Sequence, residues 1–311
     1  MTGFITSGNE RWKLKPPFNG AGWQADLIPR EEITQQIQPR YGIVIHARNW
    51  IAAQKALILI HGSHQLLQAS PDVLPIKPIA HNDNEPEFLD ADVRERIARQ
   101  EYCAPGFPHA CALAARASRK RVWCYSVLKY KLSLSIYSVL PIETHPDHFP
   151  FHMPVSRFPS DHIMFSYAIT SAFSVIEELG FSVNASSSKP SVVKGAWNPI
   201  VKQDLEDRLR GGRIDLAEGF LWIVRGSKRR IESKRPLPSG KRPSWATNAT
   251  RDVIIPLIDA IAYASWLRSK VSAHTVKDTT VSLSPYDVVN VQDLARRLLL
   301  ETTGFWRYWG K

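Results

Sequence analysis

Apolar and polar positions in this chain repeat mostly with the period of an α-helix. Residues 48–68 and 163–179 each combine apolar side chains at helical spacing with few breakers, and a glycine closes the second segment. Asn198 and Pro199 predict the start of another helix, which ends near Gly211. The pattern therefore predicts three helices separated by turn-rich connections.

Two further helices are predicted in the C-terminal third. Thr250 is a suitable N-cap for a helix over 251–271, although Pro256 should kink that helix or delay its start by a turn. A last helix is expected to begin at Asp287 or Asn290. No internal repeat and no heptad array accompanies these segments.

The stretch 110–140 fits two structures. Its first half is rich in Ala and Arg, which favours helix, whereas apolar residues recur at every second position over 128–136, which favours a strand. Length and continuity favour one long helix. Earlier in the chain, shorter helices are predicted over 31–36 and 91–101, the second capped by Asp90.

Prolines cluster in two long connections, 70–88 and 141–160. Between and after them the predicted elements are helical. The fold class predicted is therefore all-α, a multi-helix bundle with long proline-rich loops. We expect two regions: an N-terminal, mostly helical region over 1–109 and a helical bundle over 110–311.

Composition narrows the class of protein. Of 311 residues, 44% are hydrophobic and 22% charged, as in a globular protein. No apolar run approaches the roughly 20 residues that a membrane span needs, and the N-terminus lacks the pattern of a secretory signal. Three cysteines are too few for a disulfide framework in a chain of this size. We expect a cytoplasmic protein that does not associate with a membrane.

The positive charge is concentrated in the C-terminal half. The net charge is +11; residues 1–150 hold 17 Lys/Arg against 14 Asp/Glu, a balance of +3, and residues 151–311 hold 23 against 15, a balance of +8. The densest cations are Arg225, Lys228, Arg229, Arg230, Lys234 and Arg235. Such a patch is typical of binding to a polyanion, and RNA is the expected partner. A solvated, proline-interrupted loop is the alternative.

A helix-end arginine followed by a histidine is the candidate catalytic pattern. An apolar stripe over the predicted 251–271 helix leads to Arg268 as its next position, and His274 follows six residues later. Chance matches to an Arg-x4–6-His pattern are common, and two more occur at Arg40/His46 and Arg157/His162. Only the Arg268/His274 pair lies at the end of a long amphipathic helix, and this position makes it the catalytic candidate.

The segment from Trp266 to His274, which follows this apolar helix, resembles the signature of the HEPN family of helical-bundle nucleases. The resemblance implies a bundle of four or five helices, usually dimeric, and metal-independent cleavage of RNA by Arg268 and His274. It also implies a bacterial toxin or antiviral defence effector, with an antitoxin or other regulatory partner. Ser269 stands where active members carry Asn, Asp or His. A non-catalytic module that binds nucleic acid or a partner protein is the alternative.

The chemistry of these side chains suits metal-free RNA cleavage. Histidine titrates near neutral pH and can move protons to and from RNA oxygens, while arginine offers a planar, permanently charged fork to a phosphate. Ser269 and Lys270 lie beside the pair, the first as a hydrogen-bonding residue and the second as a further RNA-binding cation. One histidine cannot serve as both acid and base in one pass, which favours a homodimer. No cofactor and no metal is expected.

Other polar clusters are weaker candidates. Cysteines and histidines at Cys103, His109, Cys111 and Cys124 match no common zinc spacing, so buried thiols are favoured there. A second set crowds one proline-rich loop: His145, Asp147, His148 and His152. A solvated loop is the favoured interpretation of that set. His61 and His64 are expected at a helix end, with a metal pair as the alternative.

Overall fold

The computed structural model describes residues 16–29, 41–69, 107–138, 159–225, 250–271 and 283–305, with the backbone of short strands at 6–7, 10–11, 230–231 and 235–236. Two compact units divide this part of the chain between Leu128 and Lys129. The described residues form seven helices and eleven strands, most of the strands short. The predicted predominance of helix is confirmed, but the described residues are not all-α, because both units also contain small β-sheets.

The first unit combines strands with helices. Its strands are β1 Thr6–Ser7, β2 Glu10–Arg11, β3 Phe18–Gly20, β4 Trp23–Pro29 and β5 Tyr41–Ala47. Its helices are α1 Trp50–Gln68, α2 Phe107–Ala117 and the first half of α3, Arg121–Ile136. Strands β3, β4 and β5 form an antiparallel sheet in that order. Alternate residues of β4, namely Trp23, Ala25 and Leu27, are buried, as expected for a sheet with one covered face.

Helices α1 and α2 form the core of this unit. Asn49 caps α1, because its side-chain oxygen accepts a hydrogen bond from the Ala52 N–H at 2.9 Å. The second half of α1 is buried almost all round, including His61 and His64. Helix α2 buries its alanine-rich surface, which lets the two helices approach closely.

The predicted long helix over 110–140 is instead two helices. A turn at 118–120 separates α2 from α3, and the Ser118 hydroxyl donates to the Ala115 carbonyl at 2.8 Å. That hydroxyl competes with the helical ladder at this point. The preference for helix over strand at 128–136 is confirmed. The alternation there is compatible with a helix because Ser133 is buried and donates to the Ala168 carbonyl at 2.8 Å.

The second unit is mainly helical. Its helices after α3 are α4 Pro159–Glu178, α5 Pro199–Gly211, α6 Leu257–Val271 and α7 Pro285–Thr302. Its strands are β6 Val192–Val193, β7 Ala196–Trp197, β8 Phe220–Arg225, β9 Arg230–Ile231, β10 Arg235–Pro236 and β11 Thr250–Ile255. Helix α4 packs against both α6 and α7. Helix α7 is the most enclosed element, with only isolated positions of its surface reaching solvent.

Several predicted helix ends are confirmed here. Gly180 follows α4 with a φ of 80°, the left-handed conformation that favours glycine. Asn198 caps α5 by accepting from the Ile200 N–H at 3.1 Å, and Pro199 is the first helical residue. Helix α7 begins slightly earlier than predicted, because Ser284 and Asp287 form a capping box.

The 251–271 helix begins only at Leu257, as the alternative of a start delayed by Pro256 predicted, and Thr250 is not its N-cap. Residues Thr250–Ile255 form β11, which pairs antiparallel with β8 in the register Val253↔Trp222. Val253 and Ile255 are buried while Ile254 is exposed, so this segment alternates as a strand does. Pro256 has no N–H for a ladder and ends the strand, and α6 begins at the next residue.

The other predicted segments lie outside the described residues. These are the helices over 31–36 and 91–101, the loop over 70–88 and all but the end of the loop over 141–160. No helix in the described ranges is long and apolar enough to cross a bilayer.

Candidate nucleic-acid site

The candidate site lies at the C-terminal end of α6. Leu257, Ile261 and Ala264 are buried along one face, as the stripe predicted. Val253, the first residue of that predicted stripe, belongs to β11 instead. Arg268 follows on the same face in the last turn, with its side chain 42% exposed. The helix therefore carries a cation from a buried face out to the surface.

Arg268 is held by one carboxylate. Its Nη2 lies 3.3 Å from Oε1 of Glu177 on α4, whose side chain is 38% exposed. The Arg268 Nε is buried and has no hydrogen-bond partner in the described part of the chain. Half-exposed ion pairs of this kind contribute only about 0–1 kcal/mol to stability. A doubly accepting phosphate could therefore replace Glu177 at little energetic cost.

Ser269 and Lys270 complete the described part of the site. Both residues are exposed. The Ser269 hydroxyl donates to the Trp266 carbonyl of its own helix at 2.7 Å, so its proton is committed while its oxygen remains an acceptor. This arrangement differs from the amide, carboxylate or imidazole side chain that the resemblance leads one to expect at this position.

An aromatic stack supports α6 from the side of the β8–β11 hairpin. The rings of Tyr263 and Trp266 are nearly parallel, with centroids 5.4 Å apart, and Trp222 of β8 lies 5.0 Å from Tyr263. Trp222 is fully buried. Each such ring pair contributes about 0.5–1.5 kcal/mol beyond its buried area. The stack thus fixes the helix two residues before Arg268.

Side-chain hydrogen bonds also hold β8 and the first turn of α6 in place. The Asn290 side chain on α7 accepts from the Ile223 N–H at 2.9 Å and donates to the Ile223 carbonyl at 2.8 Å, in the manner of a neighbouring strand. The Trp197 indole N–H donates to Asp259 in the first turn of α6 at 2.8 Å. The position of Arg268 is therefore set by several elements at once.

A buried ion pair on α7 contacts the residues that lead into β8. Arg297 and Glu301 of α7 have side chains 3% and 6% exposed, and the Arg297 Nε lies 2.6 Å from Oε1 of Glu301. Arg297 also donates to the Gly219 carbonyl at 2.7 Å, and the Asp215 N–H donates to Glu301 Oε2 at 3.0 Å. Burial raises the pKa of Glu301, and the hydrogen bond from Arg297 opposes that rise.

Most of the other predicted site residues fall outside what the structure describes. His274, Lys228, Arg229 and Lys234 lie in undescribed segments. Only the backbone is described for three further cations: Arg225 in β8, Arg230 in β9 and Arg235 in β10. The structure thus positions Arg268, Ser269 and Lys270 but does not describe their relation to His274.

For the other two Arg-x4–6-His matches, the structure describes the histidines but not the arginines. His46 lies on β5 beside Asp26, with Nε2 3.4 Å from Oδ2 of that carboxylate. His162 lies in the first turn of α4. Their arginine partners, Arg40 and Arg157, lie outside the described ranges.

The candidate metal clusters also find no support among the described residues, where no group of three or more His, Cys, Asp or Glu side chains is placed to hold an ion. Burial raises the pKa of the Cys111 thiol well above its ordinary range, as for an inert structural cysteine. Cys103 and the histidine-rich 145–152 loop are outside the described ranges.

His61 and His64 are buried within α1 rather than at its end, contrary to the prediction. Burial, and secondarily the nearby His61, lowers the pKa of His64 to about 4, so this ring is neutral at neutral pH. Its ring meets Phe107 edge to face, with centroids 5.6 Å apart.

A second cationic cluster was not identified from the sequence. It lies at the turn between α2 and α3 in the first unit and consists of Arg116, Arg119, Lys120 and Arg121. The signal was present: no Asp or Glu occurs anywhere from 107 to 128, against these four cations. The charge balance of the whole N-terminal half, +3, conceals this local excess.

Comparisons with protein-family models, with curated proteins and with solved structures find no match for this chain.

Proposed function

We propose that this protein is a metal-independent endoribonuclease of the HEPN type. The observation that carries the proposal is the position of Arg268: it is the cation that a buried helix brings to the surface in its last turn, just before the segment containing His274. The helices α4 to α7, with the end of α3, would supply the four or five helices of such a bundle.

In the proposed reaction, Arg268 binds the non-bridging oxygens of one RNA phosphate. His274 removes the proton from the adjacent 2′-OH, and the 2′-oxygen attacks phosphorus. The bond from phosphorus to the 5′-oxygen breaks, and that oxygen takes a proton from a second, protonated histidine. The products are a 2′,3′-cyclic phosphate and a 5′-OH, so atoms and charge balance without a metal.

The second histidine is the reason for proposing a homodimer. Each chain would contribute one His274 to a shared cleft, one acting as base and the other as acid. The cations at 225–235, together with Lys270, would attract RNA toward this cleft in a salt-dependent way. A cytoplasmic toxin or antiviral defence effector, restrained by an antitoxin or regulatory partner, is the biological setting that fits such an activity.

Two contacts favour a second candidate, a non-catalytic module that binds nucleic acid or a partner protein. The guanidinium of Arg268 is already paired with Glu177, and the Ser269 hydroxyl donates its hydrogen bond to the Trp266 carbonyl. Both contacts leave the site with less catalytic machinery than the resemblance implies. In this candidate Arg268 would bind a phosphate or carboxylate without any proton transfer.

The deciding experiment incubates purified protein with total RNA in EDTA and determines the end groups of any fragments. The nuclease candidate predicts cleavage that survives chelation, cyclic phosphate ends, and complete loss of cutting in His274→Ala with unchanged thermal unfolding. His162→Ala is the matched control, since His162, in the first turn of α4, is the histidine of another Arg-x4–6-His match in the sequence. Binding without cleavage by the wild-type protein would leave the binding module as the function.

A further inference from the structure

The turn between α2 and α3 concentrates positive charge that the described part of its unit does not neutralise. Ranges 16–29, 41–69 and 107–128 hold six Lys/Arg and one acid, Asp26. Asp26 is already engaged, because it accepts from the Gln24 amide at 3.1 Å and lies beside His46. No carboxylate within these ranges lies at ion-pair distance from Arg119, Lys120 or Arg121. Those three cations are all exposed.

Two aromatic rings lie beneath these cations. The Lys120 ammonium sits 4.1 Å from the ring centroid of Trp123, and the Arg116 guanidinium sits 5.5 Å from the same ring. The Arg121 guanidinium lies 5.1 Å from the ring of Tyr125, which is 45% exposed. Cation–π contacts of this kind hold flexible basic side chains in defined positions. The surface therefore presents ordered charges next to an accessible ring.

The backbone of the turn is fixed from outside as well. The Ala21 N–H donates to the Ser118 hydroxyl oxygen at 2.8 Å, and Arg119 donates to the Asn19 carbonyl at 3.2 Å. Both contacts tie the turn to the β3–β4 hairpin. A preorganised surface loses little conformational freedom when it binds a ligand.

This arrangement costs stability in the unbound protein. The first turn of α3 contains Arg121 and no acidic residue, although the helix dipole favours acids at that end. Several like charges are also crowded into six positions. An anion bound over the turn relieves both penalties, and no carboxylate in ranges 16–29, 41–69 and 107–128 does so.

We propose that this surface, formed by Arg119, Lys120, Arg121 and Tyr125, binds single-stranded RNA. The cations contact successive phosphates, and a base stacks on Tyr125, the combination by which proteins bind single strands without reading sequence. The exposed tyrosine distinguishes this ligand from a simple polyanion, because a sulfated polysaccharide has no aromatic face to stack. The surface belongs to the first unit, whereas Arg268 belongs to the second, and binding there does not depend on catalysis.

The test uses the full chain and a fluorescein-labelled 2′-O-methyl oligouridylate of about 12 nucleotides, within the length range that such surfaces bind. This probe cannot be cut through its 2′-oxygen, so binding is measured by anisotropy whether or not the protein is a nuclease. The double variant Lys120→Gln/Arg121→Gln should bind about tenfold more weakly. Its slope of log K against log salt should fall by about 1.4, the loss of two phosphate contacts on a single strand.

The matched control is Lys202→Gln/Arg210→Gln, which removes two cations that α5 pairs with Glu206 at 3.6 and 3.2 Å. Because carboxylates already neutralise these cations, the control should bind within about twofold of wild type. Equal binding by wild type and the Lys120/Arg121 variant would overturn the proposal. So would a control that loses as much affinity as that variant, because binding would then reflect net charge alone.

A second pair of variants tests stacking. Tyr125→Ala should weaken binding about tenfold, the effect of losing one stacked base. Tyr125→Phe should bind like wild type because it keeps the ring. The control Tyr167→Ala removes a tyrosine that is 64% exposed on α4 and should have no effect. If Tyr125→Ala binds RNA as wild type does, the surface is a general polyanion patch and the RNA proposal is wrong. The same conclusion follows if heparin displaces RNA equally well from wild type and from Tyr125→Ala.

Discussion

Replacement of Arg297 by methionine should strongly destabilise the second unit. Methionine keeps most of the side-chain length but removes the cation beside Glu301 and the donor to the Gly219 carbonyl, 2.6 and 2.7 Å away. A carboxylate whose side chain is 6% exposed would then be buried without a counter-ion. Breaking a buried pair in this way costs about 3–5 kcal/mol. In a domain of this size that lowers Tm by about 6–20 °C.

The effect should depend on pH. Burial already raises the pKa of Glu301, and loss of the Arg297 hydrogen bond removes an opposing influence, so the pKa rises further in the variant. An acid whose pKa is higher in the folded than in the unfolded state destabilises the fold as pH rises above its ordinary value. The deficit of Arg297→Met relative to wild type should therefore be larger at about pH 7.5 than at about pH 5.

Thermal and urea unfolding, followed by circular dichroism, would measure these differences. The double variant Arg297→Met/Glu301→Leu removes the stranded charge and should recover all but about 1–3 kcal/mol, the cost of leaving the Asp215 N–H without its acceptor and the Gly219 carbonyl without its donor. As a control, Arg210→Met removes an exposed guanidinium that pairs with Glu206 and Asp207 on the surface of α5, and it should cost under about 1 kcal/mol. A single variant as stable as this control, or a double variant no better than the single, would refute the reasoning.

Three further outcomes are expected. Glu177→Gln should strengthen RNA binding by about two- to fivefold in a titration, because RNA then no longer has to displace the Arg268–Glu177 ion pair, which contributes up to about 1 kcal/mol. Weaker binding would contradict this. Asn198→Ala should lower the unfolding free energy by about 0.5–2 kcal/mol through loss of the α5 cap, whereas Asn198→Ser should largely retain it. Wild-type stability should fall by about 3 kcal/mol as pH drops from the ordinary histidine range to about 4, because only the unfolded state protonates His64 freely. A His64→Leu variant should lack that part of the pH dependence, and an unchanged profile would show that another group is responsible.

Helix ends with local signals could be predicted from the sequence. Asn198 and Pro199 fix the start of α5 through contacts within four residues, and Gly180 ends α4 through its own φ. Such features depend on neighbours in the chain, which the sequence displays directly.

Structure that depends on distant partners could not be predicted in the same way. Val253 fits the apolar stripe of a helix, yet it belongs to a strand that pairs with a strand about thirty residues earlier. The run of β-branched residues before Pro256 was the available signal. Conversely, the alternation near Ser133 is accommodated in a helix because two distant groups satisfy its buried hydroxyl: it donates to the Ala168 carbonyl at 2.8 Å and accepts from Gln292, on α7, at 3.0 Å.

The candidate site was predicted only in part. The stripe on α6 correctly led from buried residues to a surface arginine, because helical periodicity is local. Its pairing with Glu177 depends on how α4 packs against α6, which no sequence pattern displays. The basic turn around Lys120 is a different case, because acidic residues elsewhere in 1–150 reduce the balance of that half to +3 and only a short window displays the local charge.

The stack of Trp222, Tyr263 and Trp266 also makes the junction of hairpin and helix optically active. Aromatic rings held at fixed angles within about 5–6 Å couple their excited states, and fixed aromatic packing is what near-ultraviolet circular dichroism detects. If the hairpin separates from α6, this signal should disappear while the far-ultraviolet helical signal persists. A difference spectrum between wild type and Trp222→Phe would isolate it from the other tryptophans. The chain thus contains its own spectroscopic reporter, two residues from Arg268, for following whether RNA tightens or loosens this junction.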